Sequence, residues 1–381
     1  MAKLGDICFQ ITDGSHNPPA GIENSKHLML SSKNINDDEI TTTAPRFLTD
    51  EQFDIENKRT NVLSGDLLMT IVGTVGRVAV VPEMLAGICL QRSVAVIKPN
   101  PTIINNRYLM YQLQSMRKFL ESEARGVAQK GIYLKQVGDL SVITPPLDEQ
   151  YRVVDTLDHI SGLIHIYQQQ LTKLDELIKA RFVEMFGTYP DNPFGWNTGK
   201  IQDVVSNVRY GSSRPAVEGG KYPYLRMNNI TYAGELDLTD TKRIDVPDSE
   251  LDKCTVQRGD VLFNRTNSKE LVGKTCVYNR DDMMVLAGFV IRVRVNERIL
   301  PEFLVAFLNT AFSKQMLLGM CKTAIGQANI NAKEMQNIGL YIPPIALQEQ
   351  FVDLKKQTDK SKLFAELFAQ NACILAENRS K

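Results

Sequence analysis

The sequence lacks a long hydrophobic run and lacks closely spaced cysteines. No apolar stretch approaches the roughly eighteen residues that a membrane span needs, and the N-terminus MAKLGDICFQ does not have the charged and then apolar layout of a signal peptide. The six cysteines form no Cys-x-x-Cys pair, so neither a zinc site nor a disulfide framework is indicated. These absences predict a cytoplasmic protein with reduced thiols and no membrane segment.

The sequence also lacks an excess of charge of either sign. Its 44 Lys and Arg residues balance 44 Asp and Glu residues. Proteins that bind nucleic acid on their own are usually basic. A nucleic-acid binder with this composition would have to concentrate its cations locally or use the cations of partner proteins.

An internal repeat is the strongest feature that the sequence does contain. Three segments of the first copy return in the same order in the second: SGDLLMT (64–70) as RGDVLFN (258–264), VGRVAVV (75–81) as VGKTCVY (272–278), and SVAVIKP (93–99) as VIRVRVN (290–296). Each copy is therefore predicted to be a mixed α/β domain of roughly 150 residues, the common domain size.

A Pro-Pro pair closes each copy, in VITPPLDEQ (142–150) and in YIPPIALQEQ (341–350). The residue before a proline is pushed out of helical geometry, and the second proline fits a first helical turn. A helix is therefore predicted after each pair. The predicted domains are 1–146 for the first globular copy, 147–187 for a central helical spacer, 188–344 for the second globular copy, and 345–381 for a C-terminal helical spacer.

Apolar or large residues recur at alternating spacings of three and four in both predicted helices, which is typical of a coiled coil. The first series is Leu157, Ile160, Ile164, Tyr167, Leu171, Leu174, Ile178 and Met185, and only Arg181 breaks it. The second, weaker series is Leu347, Phe351, Leu354, Thr358, Ser361, Ala365, Phe368, Ala372 and Leu375. The predicted fold class is α+β, with two pseudo-repeated mixed α/β domains separated by two long helices that form an antiparallel coiled coil. Interdomain helices within one compact protein remain an alternative.

This order of domain, helix, domain and helix resembles the DNA-specificity subunit of Type I restriction-modification enzymes. The matching segments are ITDGSHNPP (11–19), LSGDLLMTIVGTVGRVAVV (63–81) with its second copy, both Pro-Pro exits, and EMFG (184–187) before PFGWNTGKIQDVVSNVRYG (193–211). The first copy starts abruptly at Leu4-Gly5-Asp6, which predicts a trimmed edge for the first domain.

The resemblance implies a non-catalytic subunit whose two domains each read one half of a split, asymmetric site on double-stranded DNA. It implies that the helices bind two methylation subunits and that two restriction subunits can join the complex. No cofactor is then expected in this chain, because S-adenosylmethionine, ATP and magnesium are expected on the partner subunits.

The predicted DNA contacts lie in polar, cationic and Gly-rich loops between strands. Arg suits guanine and Asn suits adenine, while Ser, Thr and Lys also hold phosphates. In the first domain the candidates are Ser15, His16, Asn17, Lys33, Asn34, Thr70, Thr74, Arg77, Gln129 and Lys130. In the second domain they are Arg209, Tyr210, Ser212, Ser213, Arg214, Arg226, Asn228, Asn264, Arg265, Asn267, Lys269, Gln327 and Asn329. For any single residue, a turn or a solvated surface explains the pattern as well as a base contact does.

Two other functions stay open at this point. A self-contained adenine methyltransferase is suggested by Asn17-Pro18-Pro19-Ala20, but the aromatic residue that such a motif carries is replaced by Ala20, and no Gly-rich cofactor loop follows a first strand. Gly273-Lys274-Thr275 lacks the leading glycine of a phosphate loop. The second of these other functions is that of a repeat adaptor that binds only proteins.

Overall fold

The computed structural model describes residues 1–124, 131–324 and 327–379. The chain forms two compact units. Unit 1 comprises Met1–Gln168 together with Glu366–Lys381, and unit 2 comprises Gln169–Ala365. Each of the two long helices is therefore divided between the units.

Unit 1 consists of short strands and mostly short helices. Its strands are β1 (Ala2–Lys3), β2 (Cys8–Asp13), β3 (His27–Leu30), β4 (Arg46–Leu48), β5 (Leu67–Thr70), β6 (Val78–Val80), β7 (Cys89–Leu90), β8 (Val94–Pro99) and β9 (Ser141–Val142). Its helices are α1 (Asp50–Thr60), α2 (Asn106–Ser115), α3 (Arg117–Glu123), α4 (Leu134–Gly138), the first part of α5 (Leu147–Phe186) and the end of α10 (Ile345–Arg379).

Unit 2 has a similar composition. Its strands are β10 (Asn197–Lys200), β11 (Val205–Tyr210), β12 (Tyr222–Leu225), β13 (Lys242–Ile244), β14 (Thr255–Val256), β15 (Val261–Asn264), β16 (Thr266–Asn267), β17 (Thr275–Val277), β18 (Met284–Leu286), β19 (Val290–Val295), β20 (Lys322–Ala324), β21 (Gln327–Asn329) and β22 (Gly339–Ile342). Its helices are α6 (Asp248–Cys254), α7 (Pro301–Leu308), α8 (Ala311–Met320), α9 (Ala332–Gln336) and most of α10 (Ile345–Arg379), in addition to the second part of α5.

The two units share one strand order. In unit 1, β2, β8, β5 and β6 form a sheet in that order, and β3 lies between β4 and β7 in a smaller sheet. In unit 2, β11, β19, β15 and β17 form the corresponding sheet, and β12 lies between β13 and β18. The repeat found in the sequence is thus a repeat of strand topology. The predicted pairing of 93–99 with 290–296 is wrong by one residue, because the strand register makes Val94 equivalent to Val290. The opening strands differ, since β1 pairs with β9 over two residues and β10 pairs with β22 over four.

The repeated Gly-Asp sequence forms the same buried turn in both units. In unit 1, Asp66 accepts a hydrogen bond from the backbone of Leu63 at 2.8 Å and pairs with Lys98. In unit 2, Asp260 Oδ1 accepts from Arg294 Nε at 2.8 Å. Because a buried carboxylate is costly without a partner, the cation of the neighbouring strand is needed for the turn to be buried.

A buried glutamine fixes the start of α5. The side chain of Gln150 is fully buried. Its oxygen accepts the backbone N–H of Asn105 at 2.7 Å, and its nitrogen donates to the carbonyls of Ile103 at 3.0 Å and Pro145 at 2.8 Å. The first turn of the helix is therefore bonded both to the proline exit and to the loop before α2.

Gln348 makes the corresponding contacts at the start of α10. It is also fully buried. Its oxygen accepts the backbone N–H of Leu300 at 2.8 Å, and its nitrogen donates to the carbonyls of Arg298 at 3.2 Å and Pro343 at 2.8 Å. The sequence pattern at each exit is therefore longer than the proline pair. It includes a glutamine four residues after the second proline, and the domain buries that glutamine.

Within unit 2, α5 and α10 pack against each other in antiparallel orientation. The ring of Phe351 lies 5.3 Å from that of Phe182 and 5.6 Å from that of Phe186. Further along α10, Lys362 pairs with Asp175, which lies earlier on α5. Residues later on α10 therefore contact residues earlier on α5, so the two helices run in opposite directions. The predicted antiparallel coiled coil is confirmed.

The seam matches the predicted series with two corrections. All residues of the first series are buried or half-buried, whereas Leu163 and Ile166 beside them are 49% and 50% exposed. In the second series Phe368 is 54% exposed, although its ring stacks on that of Tyr167 at 5.5 Å. Ser361 is also exposed. Its neighbour Lys362 takes the inward position, with its side chain only 14% exposed, because Asp175 on the facing helix supplies a counter-charge. The side chain of Leu375 lies outside the described residues.

Among the described residues, no single helix is both long enough and apolar enough to cross a membrane. The bent pair α7 and α8 satisfies the length and composition only when the two helices are taken together. Phe303, Phe307 and Leu317 of these helices belong to the hydrophobic core of unit 2.

Candidate functional site

Strand register gathers several loops of unit 1 at one edge of its sheets. Asp13 at the end of β2 pairs with Ala95, and Thr70 at the end of β5 pairs with Val94, so both strands end where β8 begins. Strands β3 and β7 are parallel and end side by side. The segments that continue from these ends are residues 14–17, 31–34, 71–77 and 91–93, which we call loop edge 1.

Backbone hydrogen bonds tie the segments of loop edge 1 together. The N–H of Ser15 donates to the carbonyl of Leu90 at 2.7 Å. The N–H of Ile71 donates to the carbonyl of Ser93 at 2.9 Å, and the N–H of Ser32 donates to the hydroxyl of Ser93 at 3.1 Å. Four segments that are far apart in the sequence therefore form one bonded surface.

Loop edge 2 of unit 2 is built in the same way from residues 211–214, 226–229, 265–274 and 287–289. The N–H of Ser212 donates to the carbonyl of Leu286 at 2.6 Å, and the N–H of Arg265 donates to the carbonyl of Phe289 at 3.0 Å. The N–H of Gly288 donates to the carbonyl of Ser212 at 2.7 Å.

A glycine is required at the same place in both edges. A Cβ atom on Gly14 would lie 2.1 Å from the carbonyl oxygen of Leu90, and one on Gly211 would lie 2.2 Å from that of Leu286. Such distances are far below van der Waals contact, so only glycine allows this close approach of two backbones. These glycines explain why DGS and YGS recur at matching points of the repeat.

The structure brings most candidate residues of the first domain to loop edge 1, but two of them face inward. His16, Asn17, Lys33 and Thr74 are exposed, and Ser15 and Arg77 are half-buried. Asn34 and Thr70 are buried. Gln129 and Lys130 lie outside the described residues.

The two buried residues shape the loops and do not present their side chains. The oxygen of Asn34 accepts from the backbone of Ser31 at 3.0 Å, and its nitrogen donates to the carbonyl of Thr43 at 3.0 Å. The hydroxyl of Thr70 accepts the backbone N–H of Arg77 at 3.0 Å. We therefore remove Asn34 and Thr70 from the candidate contacts.

The cations of loop edge 1 are mostly uncommitted. Lys33 and Arg92 are exposed, and no ion pair among the described residues involves either. Arg77 donates to the neutral side chain of Asn36 at 3.0 Å. His16 lies 2.8 Å from the carboxylate of Asp13, which also pairs with Arg59. Sequence reasoning missed Arg92, although its place two residues before the repeated strand β8 was a usable signal.

The candidates of the second domain divide in the same manner. The exposed ones are Arg209, Tyr210, Ser213, Arg214, Asn228 and Lys269, and the half-buried ones are Arg226, Arg265, Asn267 and Asn329. Ser212 and Asn264 are buried, and the side chain of Gln327 lies outside the described residues. Asn264 accepts from the backbone N–H of Thr266 at 3.3 Å, so it supports a turn and we remove it. The hydroxyl of Ser212 accepts the backbone N–H of Arg214 at 3.2 Å, so Ser212 also supports a turn and we remove it.

Two of the arginines are already held by carboxylates. Arg214 donates to Glu250 at 2.8 Å, and Arg226 donates to Asp240 at 2.9 Å. These hydrogen bonds lower the pKa of each carboxyl group, and Lys242 adds to the effect at Asp240. Arg214 and Arg226 could contact DNA only by exchanging these partners.

A buried lysine and a half-buried lysine support loop edge 2 from within. Lys274 is 7% exposed, and its Nζ donates to the carbonyl of Met227 at 2.9 Å. Lys314 of α8 donates to the carbonyl of Gly273 at 3.4 Å. Burial lowers the pKa of Lys274, and burial together with repulsion from Lys274 lowers the pKa of Lys314 to about 8. The Gly273-Lys274-Thr275 sequence is thus part of the scaffold.

Comparison with known proteins agrees with this architecture. Residues 22–176 and 193–367 both match the family model "Type I restriction modification DNA specificity domain". The chain is 22% identical over 274 residues to the Type I restriction enzyme EcoKI specificity subunit of Escherichia coli (strain K12), covering 68% of this chain and 59% of that protein. It is 28% identical over 186 residues to the EcoBI specificity subunit of Escherichia coli, covering 47% of this chain and 38% of that protein. The match thus spans less than two thirds of these relatives.

Solved structures show the same fold. The Type-I restriction-modification system S subunit from M. genitalium has a TM-score of 0.55 at 13% identity, covering 100% of this chain and 94% of that one. A chain solved in work on complex assembly and conformational transition of the type I R-M system has a TM-score of 0.60 at 17% identity, covering 100% and 95%. Because two successive segments that together make up most of the sequence match one family model, the chain belongs to the Type I restriction modification DNA specificity family.

Proposed function

We propose that this chain is the non-catalytic DNA-recognition subunit of a Type I restriction-modification complex. Each unit reads one half of a split, asymmetric site on double-stranded DNA. The observation that carries the proposal is the pair of loop edges, which have the same backbone construction and different side chains. By strand register, Asp13, Ile71 and Ser93 of unit 1 take the positions of Tyr210, Arg265 and Phe289 in unit 2, which differ from them in chemistry. A shared scaffold with different side chains is what reading two unlike half-sites requires.

The helices α5 and α10 are proposed to scaffold two methylation subunits, and two restriction subunits can then join. Apolar side chains outside the seam support a protein-binding role, since exposed apolar groups mark such surfaces. Leu363 and Phe364 of α10 are 57% and 64% exposed. S-adenosylmethionine, ATP and magnesium would be bound by the partner subunits, and the expected location is the cytoplasm.

The balanced charge supports a dependence on these partners. Affinity for the phosphate backbone grows with the number of cations that contact it. This chain has no net positive charge, and Arg214 and Arg226 are held by carboxylates. The chain alone should bind DNA weakly, and addition of the methylation subunits should raise the affinity. Equal affinity with and without them would count against the proposal.

A domain exchange tests the proposed function. The chain is produced with its methylation subunits, and methylated adenines are mapped across the genome of the host. The expected result is one bipartite motif. Replacing residues 190–342 by the matching segment of a relative should change one half of that motif and leave the other half intact.

Three outcomes would contradict the proposal. A change in both halves would refute modular reading. Binding of S-adenosylmethionine by the isolated chain, measured by calorimetry, would favour a self-contained methyltransferase. Failure of the complex to retard any duplex would favour an adaptor that binds only proteins.

A further inference from the structure

Three residues of unit 2, Tyr210, Arg265 and Phe289, form a cluster at loop edge 2. The guanidinium carbon of Arg265 lies 4.8 Å from the ring centre of Tyr210. The backbone N–H of Arg265 donates to the carbonyl of Phe289 at 3.0 Å. The aromatic side chains are largely open to solvent, since Tyr210 is 43% and Phe289 is 52% exposed. An arginine thus lies over one aromatic ring and is bonded to the residue that carries the other.

The cluster is held in place by the backbone around it. The hydroxyl of Tyr210 accepts the backbone N–H of Ala332 at 2.9 Å, which fixes the ring. The backbone carbonyl of Arg265 accepts the N–H of Ile330 at 2.9 Å. Stacking on a fixed ring limits the planes that the guanidinium can adopt.

Arg265 lacks the partners that the neighbouring arginines have. Arg214 and Arg226 pair with carboxylates, whereas no ion pair of the described residues involves Arg265. Its buried Nε has no acceptor, but neither has that of Arg226, so this atom does not distinguish the two. No side-chain hydrogen bond among the described residues involves the guanidinium of Arg265. The guanidinium of this half-buried side chain is therefore available to a partner that the chain itself does not supply.

The shared scaffold does not require this cluster. The residues of unit 1 that occupy the matching positions are Asp13, Ile71 and Ser93, and the same backbone bond joins Ile71 to Ser93 at 2.9 Å. Unit 1 therefore makes the same loop junction with neither a cation nor an aromatic side chain there. The chemistry of the cluster is specific to unit 2 and is available for a ligand.

We infer that Arg265, oriented by Tyr210, reads a guanine in the half-site of unit 2. A planar guanidinium can donate two hydrogen bonds to N7 and O6 of guanine in the major groove. A phosphate contact would need no fixed plane and would suit the exposed Lys269 or Arg209 better. The exposed apolar side chain of Phe289, whose backbone is bonded to that of Arg265, also suits a base better than an anionic phosphate. The inference rests on the proposed function and names the base that one residue recognises.

The experiment uses the complex with its methylation subunits and a library of duplexes. The half-site that changes when residues 190–342 are exchanged should contain a guanine that the wild-type complex requires. Arg265→Ala should lower affinity for the preferred duplex by about 10- to 100-fold and accept other bases at that position. Arg265→Lys keeps the charge but lacks the planar fork, so it should relax the same position.

Base modification separates a base contact from a general loss of binding. Replacing the guanine by 7-deazaguanine removes the N7 acceptor, which should weaken binding by the wild-type complex and leave binding by Arg265→Ala unchanged. Lys269→Ala should weaken binding equally for all duplexes. Arg280→Ala is the matched control, because Arg280 is exposed, pairs with Asp282 and lies outside loop edge 2.

Distinct results overturn the inference and the proposed function. A half-site without a required guanine, or unchanged preference in Arg265→Lys and Arg265→Ala, overturns the inference and leaves the proposed function intact. An equal effect of 7-deazaguanine on binding by the wild type and by Arg265→Ala also overturns the inference and leaves the proposed function intact. If the wild-type complex selects no duplex at all, the proposed function fails and the inference fails with it.

Discussion

At the scale of single residues, buried polar side chains hold the recurring junctions of this chain together. Gln150 and Gln348 each satisfy one backbone N–H and two carbonyls at the point where a domain gives way to a long helix. A glutamine has an acceptor and two donors, so it can satisfy all three groups at once. No apolar side chain can, which is why the amide recurs there.

Gln348→Ala should lower the free energy of unfolding of unit 2 by about 3 kcal/mol, because it leaves buried backbone groups unpaired. Urea unfolding monitored by tryptophan fluorescence would measure this. Trp196 is the only tryptophan of the chain, and its indole N–H donates to the carbonyl of Phe186 in unit 2 at 3.0 Å. Gln350→Ala is the control on the same helix, since Gln350 is exposed. Equal effects of the two variants would show that the buried bonds add no net stability.

Lys314 should make the stability of unit 2 depend on pH. Burial and the charge of Lys274 lower its pKa from the ordinary value of 10.5 to about 8 in the folded chain. Between these values the unfolded chain holds more protons than the folded chain, so stability should rise with pH across this window. Lys314→Met should stabilise unit 2 at pH 7 by on the order of 2 kcal/mol and should reduce the rise.

The urea midpoint of Trp196 fluorescence, compared at pH 7 and pH 10, checks this expectation. Lys269→Met is the control, because Lys269 is exposed and should not alter the pH dependence. If Lys314→Met and the wild type differ by the same amount at both pH values, Lys314 does not titrate within the window.

At the scale of elements, the two long helices show how far the sequence alone could predict this fold. The helices and their antiparallel seam follow from apolar spacing, because a long helix without other cover must bury one stripe. The inward position of Lys362 could not be predicted, since it depends on Asp175 on a helix nearly two hundred residues away in the sequence.

The loop edges show the same limit for the candidate site. Glycines and turn residues marked where the loops lie, because each turn geometry requires them. Which side chain of a loop faces outward was not predictable. Thr74 is exposed and Thr70 is buried, since the hydroxyl of Thr70 accepts a backbone N–H inside its own turn. Long-range strand register, which sequence pattern does not fix, decides which loops meet.

Phe351→Ala should destabilise unit 2 by about 3 to 5 kcal/mol, because it removes a large buried side chain and leaves a cavity. The ring of Phe351 contacts those of Phe182 and Phe186, so the seam between the helices loses its aromatic cluster. Phe364→Ala is the matched control on the same helix, since Phe364 is 64% exposed. Trp196 fluorescence in urea reports both variants, and similar midpoints for the two would contradict an aromatic seam.

At the scale of the whole molecule, two copies of one scaffold within a single chain allow the two loop edges to diverge independently. A symmetric dimer of identical units would present the same side chains twice and would suit a palindromic site. Here Arg265 corresponds to Ile71, so the two edges offer different contacts. Under the proposed function, the remaining variable is the number of base pairs between the half-sites.

That number should depend on the length of the paired helices. Inserting 21 residues, three heptads, into α5 near Thr172 and into α10 just after Lys362 keeps the seam in register. The insertion lengthens the helices by about 31 Å, close to the 34 to 36 Å or so of one DNA turn. The preferred spacing between half-sites should therefore grow by about one turn of DNA, with both half-sites on the same face.

Insertions that break the register should behave differently. Four residues added near Thr172 in α5 alone shift one side of the seam against the other, so assembly should fail or the spacing should become ill-defined. A 21-residue insertion at Glu218, in an exposed loop of unit 2, is the control of equal length and should leave the spacing unchanged. Methylation maps for each variant give the spacing directly. If the three-heptad variant keeps the wild-type spacing while remaining active, the helices do not determine the distance between half-sites.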